Sequence, residues 1–439
     1  MASTLIRNAT ILTMTGALDI VGGDVLVADG RIASVGSTSG VTPDIVVDAD
    51  GDYLLPGFVQ THIHLCQTLF RGAADDLRLL DWLKTRVWPM EAAHDRASLR
   101  AAARLACYEL LRSGTTAILT METVHDTDAV FAAVAETGIR ATIGKCMMDA
   151  PHPDTPVRLR EQTRRSIDES VALHRQWHGS HNGRIRAAFA PRFALSCTRE
   201  LLEAVAALSS GEQALVHTHA AEQRDEIAAV KKLSGRSNVA YFEEVGLASP
   251  RLNAAHCVWV DQQEQELLAA HEVKVTHCPG SNLKLGSGIA PVPEMLGRGI
   301  CVSLGADGAA CNNSLDMFAE MRLAAMLQSV RQQPGALTAR QALQMATVNG
   351  ARALGLEAEI GTIEAGKRAD LVLISRQRPQ MTPAPDPYSA IVYAGSPEDV
   401  RMTMVDGELL VRDFAATRID PADIAAEARA EARALSLRL

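Results

Sequence analysis

From about residue 57 to residue 359, short apolar stretches alternate with longer amphipathic stretches. The longer stretches have helical spacing and often end at a glycine, as in SLRAAARLACYELLRSG. Parallel strands need such a helix to carry the chain back to the start of the next strand. The pattern therefore predicts a parallel α/β domain.

Eight strand candidates can be counted in this part of the chain. They are GFVQTHIHL, TTAILTM, ATIGKCMMD, RIRAAFAPRF, ALVHTHAAE, LNAAHCVWV, VKVTHCPG and ICVSLGADG. Eight β/α units in about 300 residues favour a (β/α)8 barrel. The count alone also fits an open, doubly wound sheet.

Both ends of the chain have a β pattern instead. Residues 1–56 contain LIRNATILTM, GDVLVADGRIASVG and PDIVVDADGDYLLPG, with Gly and Asp at the turns. After about residue 360 follow GTIEAGKRADLVLIS, SAIVYAG and MTMVDGELLVRD, and then an Ala- and Arg-rich helix, IDPADIAAEARAEARALSLRL. We predict that 1–56 and 360–439 form one small β-domain with a C-terminal helix, and that 57–359 form the barrel.

Composition narrows the class of protein. A 47% hydrophobic and 22% charged chain with a net charge of -9 is typical of a globular protein and offers no basic nucleic-acid surface. We expect no membrane partner, since no apolar run reaches the roughly 18–20 residues of a membrane span. The first residues lack a signal-peptide pattern and the eight cysteines form no CxxC pair. We therefore expect reduced thiols and a cytoplasmic location.

Ionisable residues gather at the predicted C-terminal ends of the strands, where barrel enzymes keep their catalytic groups. They are His62 and His64 on the first strand, His217, His219 and Glu222 on the fifth, His256 on the sixth and Asp307 on the eighth. The concentration of these residue types at one edge predicts a catalytic site there.

His62 and His64 are two residues apart, so on a strand both imidazoles point to the same face and can bind one ion. The HxH pair alone is weak, because polar residues at a strand end can simply bond the backbone. The full set indicates more, since three imidazoles and a carboxylate form a catalytic zinc site with a position open for water. Such an ion lowers the pKa of water towards 7. Glu222 could then act as acid and base, and His256 could orient the hydroxide.

Several motifs match a known family. LLPGFVQTHIHL, RSGTT, VHTHAAEQRDE, HCPGSNLKLGSGIAPV, LGADGAACNNSLDMFAEM and GTIEAGKRADLVLI resemble the amidohydrolase superfamily, in its purine, pterin and triazine aminohydrolase branch. The resemblance covers nearly the whole chain. It implies a (β/α)8 TIM barrel flanked by a β-sandwich made from both termini. Homo-oligomers are usual among similar enzymes, so we expect one here.

The resemblance also implies roles for the candidate residues. The metal ligands would be His62, His64, His219 and Asp307, with His219 chosen over His217 because it lies in HxxE. Glu222 would be the proton shuttle, His256 would face substrate and hydroxide, and Asp307 would also accept the water proton. The reaction would be hydrolytic loss of ammonia from an amine-bearing ring carbon.

One metal ion is expected. The fourth-strand segment RIRAAFAPRF has no lysine, where binuclear relatives carry a bridging carboxylated lysine. Lys145 lies on the third strand and is more simply structural. Zn2+ is the default ion, while Fe2+ and Mn2+ also satisfy three histidines and an aspartate.

Two resemblances point to different substrates. ADDLRLLDWLKTRVWPMEA and GADGAACNNSLDMFAEMR resemble deaminases of methylthioadenosine, S-adenosylhomocysteine and 5'-deoxyadenosine, in which Trp82 would line the site and Glu91 would bind both ribose hydroxyls. GKCMMD and APRFALSC resemble guanine deaminases, as do Gln67 and Arg192. A guanidinium only donates, which suits a carbonyl oxygen or a ring nitrogen. For Arg192 a plain salt bridge is an equal alternative.

We therefore expect a small heterocyclic amine as substrate, with an adenine nucleoside as the leading hypothesis. An oxopurine or pterin deaminase is one alternative, and an s-triazine hydrolase is another, because KLGSGIAPV and NNSLDMF also occur in that group. A relative without activity is disfavoured, since the candidate set is intact. His277 would shape the site, and Lys284 with residues 286–288 would lie in a loop over the substrate.

Overall fold

The computed structural model describes residues 2–16, 20–36, 38, 40, 42–150 and 152–439. Its strands in chain order begin with β1 Thr4–Leu12, β2 Ile20–Ala28, β3 Arg31–Gly36, β4 Ile45–Asp48 and β5 Tyr53–Pro56. The next nine are β6 Phe58–His64, β7 Thr115–Met121, β8 Arg140–Met147, β9 Ile185–Pro191, β10 Val216–Ala220, β11 Leu252–His256, β12 Lys274–His277, β13 Val302–Leu304 and β14 Asp307–Gly308. The last four are β15 Leu371–Ile374, β16 Val400–Val405, β17 Glu408–Arg412 and β18 Ala415–Ala416.

Strands β6 to β14 form the barrel. Each pairs in parallel with its neighbour in sequence from β6 to β13. β13 pairs with β12, while β14 pairs with β6, and only residues 305 and 306 separate the two segments. They are thus one broken eighth strand that closes the cylinder, which confirms the predicted barrel.

Closure depends on a glycine at the break in the eighth strand. A Cβ on Gly305 would lie 2.5 Å from the carbonyl oxygen and 2.8 Å from the nitrogen of His62. Only a residue without a side chain lets the eighth strand come this close to the first. The approach brings Asp307 into register with Ile63, next to both histidines of β6.

Helices surround the barrel and connect its strands. They are α1 Leu79–Trp82, α2 Trp88–Ala93, α3 Arg96–Arg112, α4 Thr127–Thr137, α5 Thr163–Trp177, α6 Arg199–Glu212, α7 Arg224–Ser234, α8 Asn238–Glu244, α9 Gln262–Ala270, α10 Pro279–Lys284, α11 Val292–Gly297, α12 Met317–Arg331, α13 Ala339–Ala346, α14 Val348–Ala353, α15 Pro387–Ser389 and α16 Pro421–Ser436. Side chains cap several N-termini, for example Asp95 at α3 and Thr198 at α6. Within the described ranges, no helix has the length and apolar character needed to cross a bilayer.

The two ends of the chain share a second sheet. Its order is β18-β17-β16-β15-β5-β1-β2-β3, and β4 pairs with β1. β5 is antiparallel to β15, with Leu55 opposite Val372. The pairing of N-terminal with C-terminal strands confirms the predicted β-unit, and β5 continues directly into the first barrel strand. The boundaries at residues 56 and 360 stay a prediction.

The segment SAIVYAG was predicted as a strand, and this is wrong. α15 covers Pro387–Ser389, and a wide helical turn continues it over Ala390–Ala394. The side chain of Asp386 accepts a hydrogen bond from the Tyr388 nitrogen, and Pro387 occupies the first helical position. This short helical segment buries its apolar residues by packing on α12 and α13.

A buried ion cluster joins the barrel to the second sheet. On β8, Arg140 donates to both carboxylate oxygens of Asp370 (2.7 and 2.9 Å) and to Asp406 (3.0 Å). All three residues are buried. Asp370 precedes β15 and Asp406 follows β16, so one guanidinium bridges two carboxylates of the other sheet, and Arg368 supplies the second positive charge by donating to Asp406 at 2.6 Å.

We expect Arg140→Met to lower the free energy of unfolding by about 3–5 kcal/mol, because it leaves the buried carboxylate of Asp370 without its counter-charge. Urea or thermal unfolding measures the change. The control is Arg7→Met, since Arg7 forms an exposed pair with Asp48 and should change stability by less than about 1 kcal/mol. Equal effects of the two substitutions would contradict a structural role for the buried cluster.

Candidate active site

Four side chains converge at the C-terminal end of the barrel. His62 and His64 come from β6, His219 from β10 and Asp307 from β14, and their potential ligand atoms all lie within 4.8 Å of one another. Asp307 Oδ1 is 3.3 Å from His62 Nε2 and 3.2 Å from His64 Nε2. The Nε2 atoms of His219 and His64 are 3.3 Å apart. We call these four residues the histidine–aspartate cluster.

Hydrogen bonds behind two of the rings fix their tautomers. His64 Nδ1 is 2.7 Å from the Met121 carbonyl, and His219 Nδ1 is 2.6 Å from the Arg192 carbonyl. A carbonyl only accepts, so each Nδ1 carries the hydrogen. Each Nε2 therefore turns a lone pair towards the centre of the cluster.

The third ring, His62, is held by another histidine. Its Nδ1 lies 2.7 Å from His217 Nε2. Burial lowers the pKa of His62 to about 4 and that of His217 well below its ordinary value, so both rings are neutral. Neutral imidazole is the form that ligates metals. His217 thus lies behind the cluster as an orienting partner of His62.

The cluster suits a divalent cation. Three imidazole nitrogens and one carboxylate are a donor set typical of catalytic sites for such ions. His62 Nε2 is buried and has no hydrogen-bond partner among the described residues. Ser281 Oγ donates to Asp307 Oδ2 at 2.7 Å, which leaves Oδ1 for the histidine side of the cluster.

Glu222 and His256 lie beside the cluster. Glu222 Oε2 is 3.6 Å from His256 Nε2, which is 3.8 Å from Asp307 Oδ2. His256 Nδ1 pairs with Asn282 Oδ1 at 2.9 Å, and Ser287 Oγ donates to Glu222 Oε1 at 3.2 Å. Burial raises the pKa of Glu222 to about 7. Near neutral pH this carboxyl can both accept and release a proton.

A small cavity adjoins the cluster. Its walls include His64, Gln67, Leu79, Trp82, Leu83, Arg192, Phe193, His219, Glu222, Glu226, Leu285 and Asp307. The cavity volume is about 20 Å3, which is room for about one water molecule. Leu79, Trp82 and Leu83 belong to α1 and the turn after it, and they close the cavity on one side as a roof.

Two of the predicted substrate residues are paired with each other. Arg192 donates to Glu91 through Nη1 (2.6 Å) and Nη2 (3.1 Å), and Gln67 Nε2 donates to Glu91 Oε1 at 3.1 Å. Trp82, Gln67 and Arg192 are on the cavity wall, whereas Glu91 is not among the lining residues. Arg192 thus forms a salt bridge and also lies on the cavity wall, and its contact with a substrate stays a prediction.

Three further residues that the sequence analysis considered, Lys284, His277 and Lys145, lie outside the histidine–aspartate cluster. Lys284 Nζ bonds Asp75 and Asn313, both at 2.5 Å, and so ties α10 to the segment before the roof. His277 is buried, and neither ring nitrogen has a partner in the described part of the chain. Lys145 donates to Glu161 at 2.5 Å, away from the histidine–aspartate cluster.

Sequence reasoning missed the residues that hold Asp307, His256 and Glu222 in place. Ser281 and Asn282 stand in HCPGSN, and Ser287 lies in the following loop. Their partners are Asp307, His256 and Glu222, which come from other strands. The motif was visible in the sequence, but a hydroxyl or an amide gives no sign there of which distant group it orients.

Known proteins resemble the chain over its whole length. Residues 53–410 match the family model described as Amidohydrolase family. The chain is 44% identical to the 5'-deoxyadenosine deaminase of Methanothermobacter thermautotrophicus over 94% of this chain and 93% of that protein. It is 39% identical to the 5-methylthioadenosine/S-adenosylhomocysteine deaminase of Moorella thermoacetica, over 97% and 98%. A crystal structure of an adenosine deaminase from Xanthomonas campestris with bound zinc superposes with a TM-score of 0.92 at 32% identity, covering 99% of this chain and 98% of that one. The chain therefore belongs to the amidohydrolase family.

Proposed function

We propose that this protein is a metal-dependent aminohydrolase that removes the amino group of an adenine nucleoside and releases ammonia. The substrates we expect are 5'-deoxyadenosine, methylthioadenosine, S-adenosylhomocysteine and adenosine. The observation that carries the proposal is the position of Glu222 and His256 beside the histidine–aspartate cluster. The relatives named as deaminases of such nucleosides support the choice of substrate.

We infer that one divalent ion, Zn2+, is held by His62, His64, His219 and Asp307. The zinc in the related adenosine deaminase supports this identity. When bound, the ion would supply a nucleophilic hydroxide at neutral pH by lowering the pKa of water.

The chain's own groups would carry the protons. Glu222 takes a proton from the attacking water and gives it to the ring nitrogen next to the amine-bearing carbon. His256 Nε2 faces both Glu222 and Asp307, so it can hold the attacking oxygen in line. A carbon–oxygen bond forms, the carbon–nitrogen bond breaks, and the amine leaves as ammonia after it takes up the second proton of the water.

The roof has to move for each substrate molecule. Ligand pockets for molecules of this size hold roughly 300 Å3 or more. The cavity of about 20 Å3 is far smaller. Closure over the bound nucleoside would exclude bulk water, which strengthens every charge interaction in the site.

The guanine alternative rested on Arg192 as a donor to a carbonyl oxygen of the base. Both Nη atoms donate to Glu91, yet each carries a second N–H, and Arg192 also lines the cavity. The relatives named as deaminases of adenine nucleosides favour such a nucleoside as substrate, and guanine or a triazine becomes an outcome of the test.

The decisive experiment measures ammonia release from adenosine, 5'-deoxyadenosine, methylthioadenosine, S-adenosylhomocysteine, guanine and a chlorotriazine. We expect the adenine nucleosides to have the highest kcat/KM. Turnover of guanine or the triazine alone would disprove the nucleoside assignment, but it would not contradict the proposed metal site.

Metal removal should abolish activity. We expect a chelator to reduce kcat to background and added Zn2+ to restore it, because the four ligands alone cannot activate water. Metal analysis should give one ion per chain in the wild type and none in His64→Ala. The control is His271→Ala, an exposed histidine that pairs with Glu243. A fully active metal-free protein would rule out this mechanism.

Glu222→Gln should lower kcat by about 10²–10⁴-fold, since the amide cannot move a proton. Metal content and thermal stability should stay at wild-type levels. The loss should be accompanied by the disappearance of a pH inflection near the pKa of about 7. Glu264→Gln is the control, because Glu264 is also buried but caps helices outside the site. Full activity of Glu222→Gln is the contrary result.

A further inference from the structure

We propose that a cavity at the N-terminal end of the barrel binds a small phosphate-bearing anion through Arg186, Arg251 and Arg352. We call it the arginine cavity. The inference goes beyond the proposed function, because the histidine–aspartate cluster lies at the opposite end of the barrel. It stands whichever heterocyclic amine is the substrate.

The arginine cavity lies where neighbouring barrel strands begin. Its walls come from residues at or just before the starts of β8, β9, β10 and β11, and from α14 with the turn that follows it. Arg186 is the second residue of β9, Arg251 directly precedes β11, and Arg352 belongs to α14. Parallel strands all start at the same end, so the three arginines face one region of the molecule.

The walls of the arginine cavity carry positive charge and no negative charge. Three of its twelve lining residues are arginines, and none is an aspartate or a glutamate. None of the three guanidinium groups forms a salt bridge with a residue that the structure describes. The chain as a whole has a net charge of -9, so this concentration of unpaired positive charge runs against its overall composition.

Most of the N–H donors on these walls are unused. Arg251 Nε donates to Ser209 Oγ at 3.2 Å, which leaves both of its Nη atoms available. The side chains of Arg186 and Arg352 have no hydrogen bond to another described residue. A guanidinium has five N–H donors and no acceptor, so a ligand with several acceptor oxygens would satisfy them.

Arg186 shows that the missing counter-charge has a cost. The residue is half-buried, and burial together with the like charge of Arg140 lowers the pKa of its guanidinium. Glu359 acts on Arg186 from beyond salt-bridge distance, but its carboxylate already accepts hydrogen bonds from Arg31 and Arg368. An anion in the cavity would supply the opposite charge at close range.

The size and the donors of the arginine cavity favour a phosphate group. The cavity volume is about 290 Å3, close to the lower limit of roughly 300 Å3 for pockets that hold small organic ligands. Guanidinium forks match phosphate oxygens in pairs, and a phosphate dianion offsets more of the three positive charges than a single carboxylate would. Leu215 and Leu354 on the same walls would contact the organic part of a phosphate monoester.

The first test measures binding of inorganic phosphate to the metal-loaded protein by equilibrium dialysis, with chloride used to keep the ionic strength constant. We expect saturable binding of one phosphate per chain with a Kd below about 1 mM. Ribose 5-phosphate distinguishes the two sources of the group. Tighter binding of the sugar phosphate would assign the cavity to a phosphate monoester, and equal binding would assign it to free phosphate.

The second test repeats the measurement with Arg251→Gln/Arg352→Gln. We expect the Kd for phosphate to rise at least about 10-fold, because charge-assisted hydrogen bonds are lost. The control is Arg164→Gln/Arg165→Gln, which removes the same two charges from exposed positions on α5, where each arginine pairs with an acid one turn further along. Its Kd should equal that of the wild type.

A single variant keeps the test valid if the double variant is unstable. Arg352 is exposed and has no side-chain partner among the described residues, so Arg352→Gln should fold normally and raise the Kd at least about 3-fold. Absence of saturable binding up to about 10 mM phosphate would overturn the proposal. Wild-type affinity in the folded arginine variants would overturn it too, because the phosphate would then be bound elsewhere, such as at the metal.

Discussion

The geometry of the candidate metal site depends on the hydrogen bond that each histidine makes through its Nδ1 atom, because this bond leaves Nε2 to face the cluster. His64 on β6 is held by a carbonyl at the end of β7, and His219 on β10 by the carbonyl of Arg192, just after β9. His62 is held by His217 from β10. In each case the partner belongs to another strand, so the register of the barrel decides where the lone pairs point. A shift of one residue in any of these strands would turn a ring nitrogen away from the metal position.

The sequence was sufficient to predict the strands and the edge where chemistry occurs. Seven of the eight barrel strands fall within the segments marked by their apolar pattern, and β8 begins one residue before its segment, because strands buried on both faces form nearly continuous apolar runs. The four cluster residues could be chosen because they lie near the C-terminal ends of such strands and because His219 stands in the HxxE motif of the family. The strand prediction for SAIVYAG was wrong because a short apolar run alone does not distinguish a strand from one buried helical turn.

Pairings between distant residues could not be predicted in the same way. Glu91 and Arg192 were each considered against a substrate, one for ribose and one for a carbonyl, while the structure places them against each other. Charge complementarity alone does not select this pair from the many acids and bases of the chain. Only the packing of α2 against the end of β9 brings them together, and packing is a property of the whole fold.

The pairing of β5 with β15 has a consequence for how the protein is made. Roughly 300 residues separate Leu55 from its partner Val372. Ribosomes add about 5–20 residues per second, so β5 emerges tens of seconds before the strand that covers its edge. During that interval β5 can pair with β1, but its other edge has no permanent neighbour. During synthesis from the N-terminus, this edge of β5 therefore stays unpaired until β15 has left the ribosome.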